Sequence, residues 1–449
     1  MDRIMGWLIR CVICLSRFSK FLSGAGLCRY DERTPDGPLR ILLAGYNGAR
    51  NTGADVRVIS IARQLLSLYG EDELQVTVMT MDPDNMKGYF PENVRMLKFS
   101  PIYMLDLWKA CSGHHAVILC EGSTLTGTFA NALAMFYIEA AGIMKMQGKP
   151  SIAYGSEVGP MEPWLEKMAR KYCSETYFIT RTEHALERLH QLGLRGHQGT
   201  DTAWSFEADG RAMPAGEELK MSGWDGRKPV IGAAVIDPFC WPVRPRPVRW
   251  ILSALSGNRR DQYKKWYFFS RSPERRKLFE KYLRNVAAAV NRYAEKNNCF
   301  VAVIGMEALD LNACERFRGM LRVPCALFCA SDHDAFRMTA VLRSLSALVT
   351  SRYHAAVLSM EKGVPIVSVS MDERLDELME EAGADPAFRL RTDDPELGRH
   401  LYAAMQRQKG LQSVVGAQFR QQAEKGKNIL EEMGNFLKNY LEDERIGIQ

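Results

Sequence analysis

Arg352 and His354 place a guanidinium and an imidazole within one short stretch, and these are groups that handle anions. A guanidinium grips an oxyanion through two parallel N–H donors, and an imidazole with an ordinary pKa near about 6.5 exchanges protons at neutral pH. The stretch falls between an apolar run, Ala347 to Thr350, and a segment with helical spacing from about Tyr353 to Glu361. Lys362-Gly363 stops that helix, and Pro365 to Val369 reads as a second strand. Short Val- and Ile-rich runs bounded by Gly and Pro fit parallel strands covered on both faces. In such a unit, ligands sit beyond the carboxyl ends of the strands, where the free N–H groups of the next helix point outward. The stretch therefore reads as an anion-handling site. Its plain structural alternative is an ion pair at a helix start with a satisfied core histidine.

Other candidates lie where further strands end. Leu39 to Gly45 reads as a strand, followed by the glycine-punctuated loop Tyr46 to Asp55 and a helical segment from Val56 to Leu68. Gly45, Asn47, Asn51, Gly53 and Asp55 belong to this strand–loop–helix unit, a Rossmann-like opening that brings backbone close to a ligand. The loop matches neither G-x-G-x-x-G nor a P-loop, so a tight turn without ligand is its other reading. Strands at Leu74–Thr80, Ala116–Cys120, Ser151–Tyr154 and Tyr177–Ile179 follow. Their loops carry Glu121, Gly122 and Ser123, then Gly155 to Pro160, then Arg181. A parallel sheet gathers such loops on one edge, so a carboxylate, hydroxyls and a cation share a cleft wall. Helix capping is the ordinary role for Ser123 and Thr182 taken singly. A later strand, Phe300 to Ile304, ends at Gly305-Met306-Glu307 and adds a second carboxylate.

A chain of 449 residues exceeds one ordinary core. The expected organisation is an α/β protein with an N-terminal segment (1–30), a Rossmann-like domain (38–206), a linker (207–228) and a second Rossmann-like domain (229–413). The second domain carries an insertion at 241–272, and the segment 414–449 reads as a long amphipathic helix packing back across the domains. With 46% hydrophobic and 25% charged residues the chain is a folded globular protein. Its eleven cysteines are scattered without zinc spacing, which fits free thiols in a reducing cytoplasm; no metal site can be argued from the sequence, and no cofactor is expected.

The net charge of +6 is unevenly spread: residues 1–30 carry +4 and residues 244–277 carry +9, leaving −7 on the rest. An acidic body argues against a general nucleic-acid binder. In the first segment Arg3, Arg10 and Arg17 are seven apart, so on a helix they form one narrow stripe opposite Trp7, Leu8, Ile9 and Leu15. No run reaches the roughly 20 apolar residues of a spanning helix. A helix lying at an anionic membrane surface is the expectation, with a signal peptide or a helix packed on the body as alternatives. The insertion interleaves Trp241, Trp250, Trp266, Tyr267, Phe268 and Phe269 with Arg244, Arg246, Arg249, Arg259, Arg260, Lys264 and Lys265. Aromatics beside cations suit a headgroup boundary, or a single-stranded nucleic-acid groove, and the acidic body favours the former.

Taken in order, several of these stretches resemble the polysaccharide pyruvyl transferase family. They are Gly45-Tyr-Asn-Gly-Ala-Arg-Asn-Thr-Gly53, Gly122-Ser123, Gly148 to Pro160, Arg181-Thr-Glu-His-Ala-Leu-Glu-Arg-Leu189, Asp201-Thr-Ala, Ser351-Arg-Tyr-His-Ala and Gly363-Val-Pro365. The resemblance implies two Rossmann-like domains in a glycosyltransferase-B-like arrangement with a cleft between them. It also implies phosphoenolpyruvate as donor and the hydroxyls of a cell-surface or lipid-linked glycan as acceptor, joined as a pyruvate ketal. The family's R-x-H motif falls on Arg352 and His354, and its interior arginine on Arg181. On that basis Arg352 would grip the donor, His354 would give up a proton or steady the departing phosphate, Arg181 would bind the donor carboxylate, and Glu121 or Asp55 would activate the hydroxyl. The expected location is the cytoplasm, peripheral at the inner membrane face. The chain departs from the family pattern at Cys120-Glu121-Gly122, Gly127, Ser346-Ala347 and Arg374, and in its 241–272 insertion. A nucleotide-sugar glycosyltransferase of similar fold and a non-catalytic glycan- or lipid-binding relative are the alternatives.

Overall fold

A computed structural model of the protein describes residues 1–34, 37–70, 72–100, 102–208, 210–211, 213–256, 262–263 and 267–446. The first sheet is built from β1 (Leu39–Ala44), β2 (Leu74–Thr80), β3 (Arg95–Lys98), β4 (Ala116–Leu119), β5 (Ser151–Ser156), β6 (Tyr177–Thr180) and β7 (Gly196–Gln198). Its order is β3-β2-β1-β4-β5-β6-β7 and its pairs are parallel. The second domain opens with β8 (Val230–Ala234). A small ribbon follows, made of β9 (Arg244–Pro245), β10 (Gln262–Tyr263) and β11 (Tyr267–Phe268). Next come β12 (Phe300–Gly305), β13 (Cys325–Cys329), β14 (Ala347–Thr350), β15 (Ile366–Ser370) and β16 (Arg389–Arg391). The second sheet, also parallel, runs β13-β12-β8-β14-β15-β16. Both therefore share the Rossmann order, in which the chain reverses direction between the first and fourth strands and leaves a ligand crevice at their carboxyl ends.

Interior strands are where the apolar runs place them, because they are covered on both faces: β4, β5, β8, β12 and β15 are buried at every position. Besides the short ribbon strands of the insertion, three strands of the two large sheets lay outside the sequence reading: β3, β7 and β16. These three are sheet edges of three or four residues with exposed or half-buried side chains, so no apolar run marks them. The long helix Gln412–Ile446 spans both domains. Gln64 donates to its Leu430 carbonyl at 2.7 Å, and its Gln422 donates to Glu381 at 3.3 Å. The segment read as a linker holds a helix, Ala215–Met221, whose buried Glu218 accepts from Arg337 at 3.0 Å.

The first segment forms the helix Asp2–Ser16 and docks through Gly6, Ile9, Ile13 and Ser16. Ile9 thus belongs to the docked side and not with Trp7 and Leu8, which are exposed. Within the insertion, the helix Pro247–Ser256 follows β9. Arg259, Arg260, Lys264, Lys265 and Trp266 lie outside the described residues. Among the described residues no helix is long and apolar enough to cross a membrane.

Candidate active site

Register sets the site. Ala44 pairs with Leu119 and Ala234 with Thr350, so the loops after β1 and β4 leave one sheet at a common level, as do those after β8 and β14 in the other. The two edges are joined by backbone: Thr52 N–H donates to Met306 O at 2.8 Å and Ala308 N–H to Arg50 O at 2.9 Å, with an antiparallel bridge between Asn51 and Glu307. Asn51 also caps the helix Thr52–Tyr69, its side chain accepting from Ala54 N at 3.1 Å.

On the second-domain side, Arg352 is the residue before the helix Tyr353–Met360, and Thr350 Oγ1 accepts its N–H at 2.9 Å. Its guanidinium meets Glu307 at 3.3 Å and Asp310 at 3.3 Å while remaining part of the cleft lining. Tyr46 reaches over from the first domain and donates to Glu307 at 3.2 Å. Burial raises the Glu307 carboxyl and pushes Asp310 up to about 7, outweighing the nearby Arg352. At about 7 the Asp310 carboxyl is partly protonated near neutrality.

His354 projects onto the start of the helix Thr52–Tyr69. A Cβ on Gly53 would lie 2.1 Å from its Nδ1, so only glycine admits the ring. Its Nε2 lies 3.4 Å from Asp201 Oδ2. Burial, only partly offset by Asp201, lowers its pKa and keeps the imidazole neutral. With Nε2 facing this carboxylate, a proton on Nε2 leaves the lone pair on Nδ1, over Gly53 and the cleft.

Asp201 is fully buried and also pairs with two cations, Arg57 at 3.2 Å and Arg181 at 2.9 Å. Burial by itself would raise its carboxyl, but Arg57, His354 and Arg181 hold it well below the ordinary range. Arg57 also donates to the Tyr154 and Gly155 carbonyls at 2.9 Å each, and Arg181 to Glu157 at 3.0 Å. Arg181 stacks over Tyr353, 4.6 Å from the ring centre. Across the cleft Arg374 donates to Ser123 Oγ at 3.4 Å, pairs with Asp372 and lies 4.8 Å over the Phe129 ring.

The model of one protein family, polysaccharide pyruvyl transferase, matches residues 51–373, a span that takes in both walls of this cleft. The chain belongs to the polysaccharide pyruvyl transferase family. A search of curated proteins by sequence returned no match. Among solved structures, HepE of Anabaena in complex with UDP-glucose is similar at a TM-score of 0.54 and 11% identity, covering 88% of this chain and 100% of that one. MnaA of S. aureus with UDP gives 0.54 at 11% identity, covering 90% and 97%. The UDP-GlcNAc 2-epimerase of Neisseria meningitidis gives 0.53 at 8% identity, covering 88% and 100%. At such identities the likeness concerns the fold, a pair of Rossmann-like domains in a glycosyltransferase-B-like arrangement.

In this pyruvyl transferase family member the cleft gathers Gly45, Asn51, Gly53, Glu121, Ser123, Glu307, Arg352 and His354 from the sequence-derived candidates. The others stand behind its wall. Arg181 is buried against Glu157 and Asp201, and Gly122 is wedged where a Cβ would lie 2.6 Å from Arg57 and 2.7 Å from Arg181. Asn47 is buried and donates to Met79 O at 2.9 Å, pinning the loop. Asp55 is buried beneath Tyr89, whose hydroxyl donates to it at 3.2 Å, and burial pushes its carboxyl up to about 7. Thr182 does cap its helix, accepting from Ala185 N at 3.2 Å, whereas Ser123 faces Arg374. Arg57 and Asp310 were missed. A lone arginine inside the apolar run Val56–Ile61 was the available signal, since an unpaired guanidinium is not buried there. Among the described residues no group of three or more His, Cys, Asp or Glu could hold a metal ion.

Proposed function

We propose that this cleft transfers the three-carbon unit of phosphoenolpyruvate to two hydroxyls of a cell-surface or lipid-linked glycan, giving a pyruvate ketal and inorganic phosphate at the inner face of the membrane. The observation that carries the reading is the convergence of Arg352, Arg374 and the Tyr353–Met360 helix N-terminus on one cleft opposite Glu121. A small donor with both a carboxylate and a phosphate needs two separated cationic grips, and Arg352 and Arg374 supply them.

The reaction forms one C–H and two C–O bonds; it breaks the donor's C=C π bond, the bond between its central carbon and the phosphate oxygen, and two acceptor O–H bonds. Glu307, whose carboxyl burial raises against the pull of Arg352, delivers a proton to the methylene carbon. Two hydroxyl protons must leave. His354 Nδ1 takes one, its ring oriented by Asp201, and Glu121 takes the other. One of these protons replaces that lost by Glu307, and the second departs with phosphate. The roles of the imidazole and carboxyl are thus reversed from those expected of His354 on its ordinary pKa. Arg57 and Arg181 hold Asp201 and, through it, the imidazole.

Thermal unfolding discriminates the donors. Phosphoenolpyruvate at a hundredfold excess over Kd stabilises the protein by about 2.7 kcal/mol and raises Tm. A nucleotide sugar leaves Tm unchanged. Stabilisation by a nucleotide sugar and not by phosphoenolpyruvate would establish the glycosyltransferase reading instead.

A further inference from the structure

Beyond the anionic centre the cleft has an apolar arm, lined by Phe99, Tyr103, Phe129, Leu133, Phe136 and Trp241. Trp241 was expected at a lipid boundary from its neighbours in sequence. It stands edge-on to Phe129 at 5.2 Å and to Phe269 at 5.6 Å and forms part of the arm. The two walls of this arm lead outward into two amphipathic helices. One wall, Phe129 to Leu133, begins the helix Asn131–Met146, on which the helix Asp2–Ser16 lies. Ile13 packs over Gly142 there, where a Cβ would stand 2.7 Å from its Cδ1, and Asn131 donates to Asp2 at 2.9 Å. The other wall, Trp241 to Val243, is tied to Phe129 O through Val243 N–H at 2.8 Å and runs on into the helix Pro247–Ser256.

Both helices leave large apolar side chains in solvent. On the first, opposite its docked stripe, are Ile4 (59% exposed), Trp7 (61%) and Phe18 just past its end (60%). On the second are Val248 (72%), Leu252 (60%) and Leu255 (80%). Arg3, Arg10 and Arg17 form an exposed row between the docked and outer stripes of the first helix, and Arg244 and Arg246 are exposed at the entry to the second. Of the eight cations in residues 1–30 and 244–256, Lys20 pairs with Glu32 at 2.6 Å and Arg29 with Asp31 at 3.2 Å, so the positive excess rests on the arginines of the two helices; the one carboxylate within these segments, Asp2, is engaged by Asn131. Glu162 lies within electrostatic reach of both segments. Hydrogen bonds from Asn131 and Trp164 hold its carboxyl below the usual range, with Arg244 and Arg3 adding to the effect.

We propose that the protein docks on an anionic bilayer through the outer faces of the helices Asp2–Ser16 and Pro247–Ser256, which flank the apolar arm of the cleft. Apolar and aromatic side chains bordered by arginines of a single sign suit the headgroup boundary, where the apolar parts insert and the guanidiniums meet lipid phosphates. A protein partner would need matching carboxylates over the whole patch. Docked in this way, the arm faces the surface from which an acceptor carrying a lipid chain arrives. The docking adds a location to the proposed reaction and does not depend on its donor.

Flotation of the full-length protein with phosphatidylcholine vesicles, with and without phosphatidylglycerol, tests this. The expected result is recovery with the phosphatidylglycerol vesicles alone, falling as salt is added. Trp7→Glu and Leu252→Glu should each reduce recovery by about tenfold or more while keeping the wild-type melting curve and its response to phosphoenolpyruvate. Failure of the full-length protein to float at low salt would overturn the proposal, as would undiminished flotation of both variants. So would sedimentation showing a dimer that Trp7→Glu dissociates, since the face would then belong to a second copy. The response to phosphoenolpyruvate reports separately on the reaction.

Discussion

Replacing Arg352 by lysine should lower kcat/KM for phosphoenolpyruvate by about 10²–10³-fold, the cost of removing one preorganised donor from a developing negative charge. Lysine keeps the charge and loses the planar fork that contacts Glu307 and Asp310 while presenting N–H groups to the cleft. His354→Ala should fall by about 10²–10⁴-fold through loss of the base. Both positions sit at a helix start with their neighbours packed beneath, so circular dichroism and melting should stay near wild type. Steady-state kinetics with phosphate release as readout checks the pair, and near-normal turnover in either would remove that side chain from the reaction.

The largest effect on stability is expected at Asp201. Asp201→Ala leaves Arg57, with no side-chain exposure, and Arg181, with 1%, without their shared carboxylate. Breaking a buried pair from one side costs about 3–5 kcal/mol, and two guanidiniums share the loss here. The pH dependence has a definite sign. Asp201 has a folded pKa well below its ordinary 3.8, so the stability it contributes is present above that value and lost as pH falls toward the folded one. Urea unfolding of the wild type should therefore lose this contribution only below about pH 4, with the variant lacking it throughout. A variant as stable as wild type at pH 7 would show that other groups neutralise the two arginines.

The sequence made the repeating parts legible. Strands buried on both faces leave apolar runs, so β2 and β14 were delimited to the residue, and the strand–helix start at Arg352 and His354 followed from them. What stayed hidden depends on contacts between distant positions. Arg57 and Asp201 are 144 residues apart, and nothing local shows that one buried carboxylate serves Arg57, Arg181 and His354 together. Placing a cation at a strand end likewise did not reveal which layer it occupies: Arg181 is turned inward by Glu157, while Arg374, noted from sequence as a departure from the family pattern, faces the cleft. Aromatic residues in the insertion carried the same ambiguity. Composition does not distinguish a ring that meets lipid from one, such as Trp241, that closes a wall against Phe129. The direction of the His354 shift was equally out of reach, because it arises from burial between two domains.

Carbon-13 and phosphorus-31 NMR of the purified protein incubated with labelled phosphoenolpyruvate and its glycan acceptor tests the central claim most directly. The account predicts that the donor's central carbon appears as a quaternary ketal bearing a methyl group, with one inorganic phosphate released per ketal formed. Phosphate release with free pyruvate as the sole carbon product, or intact phosphoenolpyruvate alongside a sugar transferred from a nucleotide donor, would contradict it.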